Sequence, residues 1–179
     1  MGQKRKTARY TWGLISLHWL IAVLVIPLVS LSFFLEDLPK MIRPTAIMLH
    51  KSCGLTILVL MVVRLVCVFK SGRPALPAAM PRWELVLARG VQMALYVFLI
   101  AMAMVGWIMS VLSNHIPVWF GVVALPIPGI APNAAWSELF FQIHQIIAWV
   151  LIVLIGLHIA GALKHVIIDK DKVMESMLP

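Results

Sequence analysis

The chain has 179 residues, of which 62% are hydrophobic and only 12% are charged, and its mean hydropathy is +0.99. These values exclude an ordinary soluble domain, in which about a quarter of the residues are charged. The formal net charge of +8 would suggest a nucleic-acid or acidic partner if the protein were soluble.

Four long apolar stretches carry most of this hydropathy. Each is long enough to cross a hydrocarbon layer of about 30 Å at about 1.5 Å per helical residue. Because no water satisfies the backbone inside lipid, each stretch is predicted to be a helix. The chain is therefore predicted to be one all-α domain over residues 1–179, an integral membrane four-helix bundle with spans at 13–34, 46–69, 85–112 and 139–163.

Basic residues outside the spans divide unequally between the two sides of the predicted bundle. Lys40 and Arg43 lie on one side and ten lie on the other. Basic residues concentrate on the cytoplasmic side of membrane proteins, so both termini and the second loop are predicted to be cytoplasmic. The same distribution argues against nucleic-acid binding. The ten are Lys4, Arg5, Lys6, Arg9, Lys70, Arg73, Arg82, Lys164, Lys170 and Lys172.

Two connecting loops have distinctive compositions. The second loop, residues 71–81, holds Pro74, Pro77 and Pro81 and is predicted to be an irregular connector. The third, residues 113–138, is the longest, yet it is apolar through Val118-Trp119-Phe120. A long apolar loop is predicted to lie along the membrane surface or to fold over the outer end of the bundle as a lid.

Four histidines fall inside the predicted spans: His18, His50, His144 and His158. An imidazole in hydrocarbon is energetically costly and points to function. A single such residue is often a packing histidine that is hydrogen-bonded to a carbonyl. Four together favour a functional interpretation.

The depths of these histidines in the membrane predict how they pair. His144 and His158 are 14 residues apart, which places them on one face of a helix and about 21 Å apart along its axis. His18 and His158 each lie near the inner end of a span, whereas His50 and His144 lie near the outer end. Only the pairs His18 with His158 and His50 with His144 agree in depth.

Opposed neutral imidazoles suit iron, copper or zinc. Two protein ligands leave a tetrahedral zinc site incomplete, whereas a haem supplies the missing equatorial ligands and suits apolar surroundings. The favoured prediction is two b-type haems, with the four histidines as iron ligands. Structural histidines and a bare metal ion are the alternatives.

Neighbouring residues support the haem prediction. Arg64 follows His50 by 14 residues, which places it on the same face at the inner level, where haem propionates need cations; an arginine that snorkels to the interface is the alternative. Lys51 is placed to meet outer propionates or to attract an anion, unless it is simply solvated. Gly54 and Gly161 leave room for a flat ring beside a ligand, although ordinary helix packing also uses glycine.

Several short motifs resemble those of the bacterial cytochrome b561 family, and together they cover nearly the whole chain. The resemblance extends to Trp119-Phe120-Gly121 and to the tail Asp169-Lys170-Asp171. Two positions depart from the family pattern: Gln92 and Val166 stand where members often have histidine. The motifs are Ile15-Ser16-Leu17-His18-Trp19-Leu20, His50-Lys51-Ser52-Cys53-Gly54, Val62-Val63-Arg64-Leu65, Gln142-Ile143-His144, and Leu157-His158 followed by Ala162-Leu163-Lys164-His165.

The resemblance implies a multi-pass protein of the bacterial inner membrane that holds two b haems through His18, His50, His144 and His158. It also implies an oxidoreductase that takes electrons from superoxide, or another one-electron donor, at the periplasmic face and passes them to ubiquinone. Candidate quinone contacts are Lys164 and His165 inside, or Lys51 and the lid outside. No residue is assigned a catalytic role.

Two other functions stay open. The first is a quinone-linked cytochrome b subunit that exchanges electrons with a partner oxidoreductase, and a second copy of the chain is a further candidate partner. The second is a small channel or transporter with packing histidines, which would be colourless.

Overall fold

The computed structural model describes residues 9–72 and 80–178. The basic residues Lys4, Arg5, Lys6 and Arg73 and the prolines Pro74 and Pro77 of the second loop lie outside the described residues. The helices are α1 (Trp12–Ser32), α2 (Arg43–Ser71), α3 (Arg82–Leu112) and α4 (Ala134–Lys164). A short hairpin of β1 (Val118–Trp119) and β2 (Val123–Ala124) joins α3 to α4, and a π-helical turn (His165–Asp169) and a 3-10 turn (Met174–Ser176) follow α4.

All four helices are long and apolar enough to cross a membrane. Each one presents large apolar side chains outward: Val23, Val59, Val97 and Val153 are all more than half exposed. In water such surfaces would be unfavourable, whereas lipid solvates them. The all-α integral membrane bundle is thus confirmed. Several boundaries differ from the predicted spans. Helix α1 ends at Ser32, two residues before the predicted end, and α2, α3 and α4 begin at Arg43, Arg82 and Ala134, three to five residues before the predicted starts.

The helices pack mainly against their neighbours in sequence. The backbones of α1 and α2, of α2 and α3, and of α3 and α4 lie side by side. Among the described residues, the Cα atoms of α4 stay more than 8 Å from those of α1 and α2 almost throughout. The fourth helix therefore contacts α1 and α2 through side chains rather than through close backbone packing.

The two ends of the bundle are defined by what they carry. The amide of Tyr10 donates to the carbonyl of Ser176 at 3.3 Å, and the Trp19 indole donates to that of Met177 at 2.8 Å. Both described chain ends thus lie together, and this is called the inner end. The outer end carries the hairpin.

A buried apolar cluster occupies the middle of the bundle. Ile21 and Val25 of α1 pack there against Ile57 and Met61 of α2, all of them at most 6% exposed. Along their helices, these residues lie between the positions of His18 and of His50. The cluster therefore separates the inner histidines from the outer ones.

The hairpin is docked against α2. The amide of Phe120 donates to the buried hydroxyl of Ser52 at 2.8 Å, and the Trp119 indole donates to the hydroxyl of Thr56 at 3.1 Å. Gly121 has a φ of +75°, a conformation that suits glycine at the turn. The third loop, predicted to lie along the membrane surface or to fold over the outer end as a lid, therefore contains an ordered hairpin at that end.

Candidate functional site

At the inner level, His18 of α1 faces His158 of α4. Their ring centres are 5.9 Å apart and the ring planes differ by 74°, so the rings are not stacked. Both side chains are half-buried. The edge of the Trp19 ring lies against His18, with ring centres 5.5 Å apart.

At the outer level, His50 of α2 faces His144 of α4. Their ring centres are 6.4 Å apart, and the ring planes differ by 65°. The Nδ1 atoms of both rings are buried without a hydrogen-bond partner. Buried polar nitrogens without partners are rare in folded proteins, and each one asks for an explanation.

The ring separations carry chemical information. Two imidazoles that ligate one ion from opposite sides, each at about 2 Å from the metal, have ring centres about 6 Å apart. Both observed pairs are close to this separation. The levels themselves lie about 21 Å apart along α4, since each turn of 3.6 residues rises about 5.4 Å.

The third helix makes room for the outer pair. A Cβ atom added to Gly106 of α3 would lie 2.9 Å from Cε1 and 3.2 Å from Nδ1 of His144. Any side chain at this position would force the imidazole to move from its position opposite His50. Gly54 and Gly161, singled out in the sequence, have no heavy atom within 4 Å of an added Cβ, a property they share with Gly90 and Gly156.

The inner pair has a buried cation beside it. Arg64 is 9% exposed and close enough to interact electrostatically with both His18 and His158. Its Nε donates to the hydroxyl of Tyr96 of α3 at 2.8 Å. A buried guanidinium at this level can bind a carboxylate, the chemistry that a haem propionate requires.

The other predicted contacts lie at the two ends. Lys51, next to His50, donates to the carbonyl of His115 in the outer loop at 3.2 Å. Lys164 pairs with Glu84 of α3 at 2.6 Å, and His165 lies 2.8 Å from Asp171. Lys164 and His165 are thus at the inner end, and Lys51 is at the outer end, where the sequence predicted them.

Comparison with known proteins decides the family. A family model described as prokaryotic cytochrome b561 matches residues 9–179. The chain belongs to this family. It is 32% identical to cytochrome b561 homolog 2 of Escherichia coli (strain K12), over 93% of this chain and 90% of that protein. It is 28% identical to a protein named "probable superoxide oxidase CybB" of Yersinia pestis, over 96% of each chain.

Membership in the cytochrome b561 family implies b-type haem, transmembrane electron transfer and an oxidoreductase role. With four membrane-capable helices, it also makes the chain a multi-pass protein of the bacterial inner membrane. The residues fit a haem. The Nδ1 atoms of His50 and His144 have no hydrogen-bond partner, and Gly106 leaves space for the His144 ring. The centres of the two rings are separated by about the distance expected when both imidazoles ligate one ion.

Sequence reasoning did not find two features of this site. Gly106 lies in an apolar run, and nothing there signals a contact with His144. Tyr96 was not singled out from the sequence, although its hydroxyl accepts a hydrogen bond from Arg64. A polar group inside an apolar stretch was the available signal for Tyr96.

Proposed function

We propose that this cytochrome b561 carries electrons between two b haems, one held by His18 and His158 and the other by His50 and His144. The observation that supports this most directly is that α4 faces two different helices through two imidazole pairs, one on each side of the apolar cluster. When bound, haem supplies a one-electron iron couple. The chain would supply the ligands, the apolar surroundings and the charges for the propionates, with Arg64 at the inner haem and Lys51 at the outer one.

The ligand assignment is tested by replacing each of the four histidines by alanine. His18→Ala and His158→Ala should lose the same haem, and His50→Ala and His144→Ala the other, because each substitution removes one of the two histidines that would hold that haem. Haem-to-protein ratio and redox titration measure this. The matched control is His115→Ala, since His115 is exposed in the outer loop. Matching losses in His18→Ala and His50→Ala would contradict the pairing.

The donor and acceptor are proposed at opposite ends. A superoxide donor outside is supported by the name of the Yersinia pestis relative and by Lys51, a cation beside His50. Ubiquinone is proposed at the inner end, where Lys164 and His165 offer hydrogen-bond donors. Purified protein should be reduced at its haem bands by superoxide and reoxidised by ubiquinone. No haem reduction by superoxide would exclude this donor, and haem that stays reduced with ubiquinone would exclude this acceptor.

The termini are proposed to face the cytoplasm, with residues 1–179 as one domain. The basic residues concentrate at the inner end, which supports this orientation. A reporter enzyme fused to the C-terminus, active only in the cytoplasm, should be active. Activity of a periplasmic reporter at the same position would reverse the donor and acceptor sides.

A partner oxidoreductase is the second candidate, favoured by the exposed hairpin. Val122 of this hairpin is 78% exposed and Trp119 is 41% exposed, and exposed apolar patches often contact other proteins. Purification in mild detergent separates the two functions, because an obligatory subunit would be retained in fixed stoichiometry. A second copy of the chain would double the mass instead.

A further inference from the structure

The apolar character of the outer loop is concentrated between Ile116 and Pro132. Apart from the Trp119 indole, no side chain in this segment is charged or able to form a hydrogen bond. The hairpin within it nevertheless presents exposed side chains, such as those of Val122 and Val123. Water solvates such a surface poorly, so the hairpin needs an apolar neighbour that the described part of the chain does not supply.

The turn of the hairpin uses its own backbone groups. Phe120 and Gly121 have positive φ values of 46° and 75°, as a type I′ turn requires. The amide of Gly121 donates to the carbonyl of Val118 at 3.2 Å, and the amide of Val122 donates to that of Trp119 at 2.9 Å. The Phe120 amide is the one that donates to α2. All three amides of the turn thus have acceptors in the protein, a condition that backbone in contact with lipid must meet.

The contacts with α2 show how deep the hairpin lies. Helix α2 has 29 residues and is about 43 Å long, which is close to the thickness of a bilayer with its headgroups. Ser52 and Thr56, which bind the hairpin, follow Arg43 at the start of α2 and lie about 14 and 20 Å from that end. The headgroup layer occupies only about 5 to 8 Å of this distance. Both contacts are therefore at the depth of the hydrocarbon.

Helix α3 gives a similar result for the base of the hairpin. The indole of Trp107 donates to the carbonyl of Leu125 at 2.8 Å. Trp107 lies about 8 Å from the outer end of α3 at Leu112. The loop itself starts and finishes at that end, since the amide of Asn133 donates to the carbonyl of Leu112 at 2.9 Å. The hairpin thus extends from the end of the bundle into the membrane, where it contacts both α2 and α3.

The face of α2 beneath the hairpin is a face that meets lipid further inward. Val59 and Val63 follow Ser52 and Thr56 by seven residues, nearly two full turns, so each pair shares a face. Val59 is 61% exposed and Val63 is 44% exposed, whereas Ser52 is fully buried. The hairpin therefore lies on the lipid side of α2, and its own outer surface continues the lipid-facing surface of that helix.

We propose that the hairpin, residues 118–124, is inserted into the outer leaflet of the membrane, where Val118, Val122 and Val123 contact lipid acyl chains. Its place in the membrane does not depend on the electron donor or acceptor proposed above. A water-soluble protein would have to pass the lipid headgroups to reach these side chains. Acyl chains are therefore favoured over a docked partner as the neighbour of the hairpin.

Insertion of the hairpin also explains the two hydroxyls on this face of α2. Ser52 donates to the carbonyl of Met48 at 2.7 Å and accepts from Phe120, and Thr56 donates to the carbonyl of Ser52 at 2.9 Å and accepts from Trp119. Each hydroxyl is thus both a donor and an acceptor within the protein. The hairpin replaces a polar part of the helix surface by an apolar surface, which lipid solvates better.

The test compares three single-cysteine variants of the holoprotein, Val122→Cys, His115→Cys and Val59→Cys, with Cys53 and Cys67 replaced by alanine. In lipid nanodiscs they are treated with a membrane-impermeant maleimide, which reacts with the thiolate, and a thiolate does not form in hydrocarbon. His115→Cys, exposed in the same loop, should react readily, and Val59→Cys, on the lipid face of α2, should not. Val122→Cys should react at least about tenfold more slowly than His115→Cys.

The controls and the contrary outcomes are clear. After unfolding in dodecyl sulfate, all three thiols should react equally, and retained haem bands show that the variants are folded before that step. Reaction of Val122→Cys as fast as that of His115→Cys would place the hairpin in water and overturn the proposal. Protection that disappears when a co-purified subunit is removed would overturn it in favour of a docked protein.

Native holoprotein provides a second measurement if the variants do not fold. It is reconstituted with a phospholipid that carries a photoreactive diazirine in its acyl chain, and the adducts are located by mass spectrometry. Adducts are expected on residues 118–124 as well as on α2 near Val59. Adducts on α2 with none on the hairpin would overturn the proposal, because the probe would then have reached the helix and not the hairpin.

Discussion

Replacing Gly106 by alanine is expected to disturb the outer histidine pair and to leave the inner pair intact. The added Cβ would lie 2.9 Å from Cε1 of His144, closer than side-chain carbons approach without movement. The neighbouring atoms belong to a ring on α4, the helix that packs most closely against α3. The imidazole must therefore tilt or shift away from its position opposite His50.

The size of the effect follows from two opposing contributions. Overpacking a well-packed site costs about 1 to 3 kcal/mol, whereas replacing glycine by alanine inside a helix stabilises it by about 1 kcal/mol. The net effect on global unfolding is therefore small. The whole overpacking cost acts at the outer site, and since about 1.4 kcal/mol is a factor of ten in affinity, outer haem should bind roughly five- to 150-fold more weakly.

The assay is redox titration of purified Gly106→Ala together with its haem-to-protein ratio. The outer midpoint should shift or lose amplitude, and the inner midpoint should stay. Gly90→Ala is the matched control, because it lies in the same helix and an added Cβ there meets nothing within 4 Å. Equal behaviour of the two variants, or loss of the inner component in Gly106→Ala, would refute the reasoning.

Three further substitutions probe the surroundings of the two pairs. Arg64→Gln should lower the inner midpoint potential by on the order of tens of millivolts, because a nearby positive charge stabilises the reduced iron. Arg64→Lys should retain most of the native potential. Equal midpoint potentials in the two variants would contradict this role. Ser52→Ala leaves the Phe120 amide without its acceptor and should lower the stability of the hairpin by about 1 to 3 kcal/mol. Amide hydrogen exchange in the hairpin should then become faster. Unchanged exchange would show that the Ser52 hydroxyl does not hold the hairpin. Trp19→Phe removes the hydrogen bond to Met177 and should make the tail more sensitive to protease, with Trp12→Phe, on the same helix, as the control.

The helices could be predicted from the sequence because their apolar length is a physical requirement of the membrane. Their ends were less predictable. Helix α4 begins at Ala134, five residues before the predicted span, because the Asn133 side chain accepts from the amide of Trp136 and caps the helix. Hydropathy does not detect a capping asparagine, although Pro132-Asn133 was a readable signal.

Depth along the helices predicted the same histidine pairs that the structure places side by side, because axial position depends only on residue number and helix direction. Contacts that depend on how helices are rotated about their axes could not be predicted in this way. The approach of Gly106 to His144 is one such contact. The hairpin is another kind of case, since its two-residue strands are held by Ser52 and Thr56, more than sixty positions away in sequence.

The wide backbone separation between α4 and the first two helices has a consequence for the protein's life in the cell. The contacts that join α4 to α1 and α2 include the two imidazole pairs, which haem would link, so haem binding would add its free energy to folding. Cells short of haem should then hold a loosened chain, and membrane proteases remove such chains faster than compact ones. The steady-state amount of this cytochrome should therefore follow haem supply even when its transcription is constant.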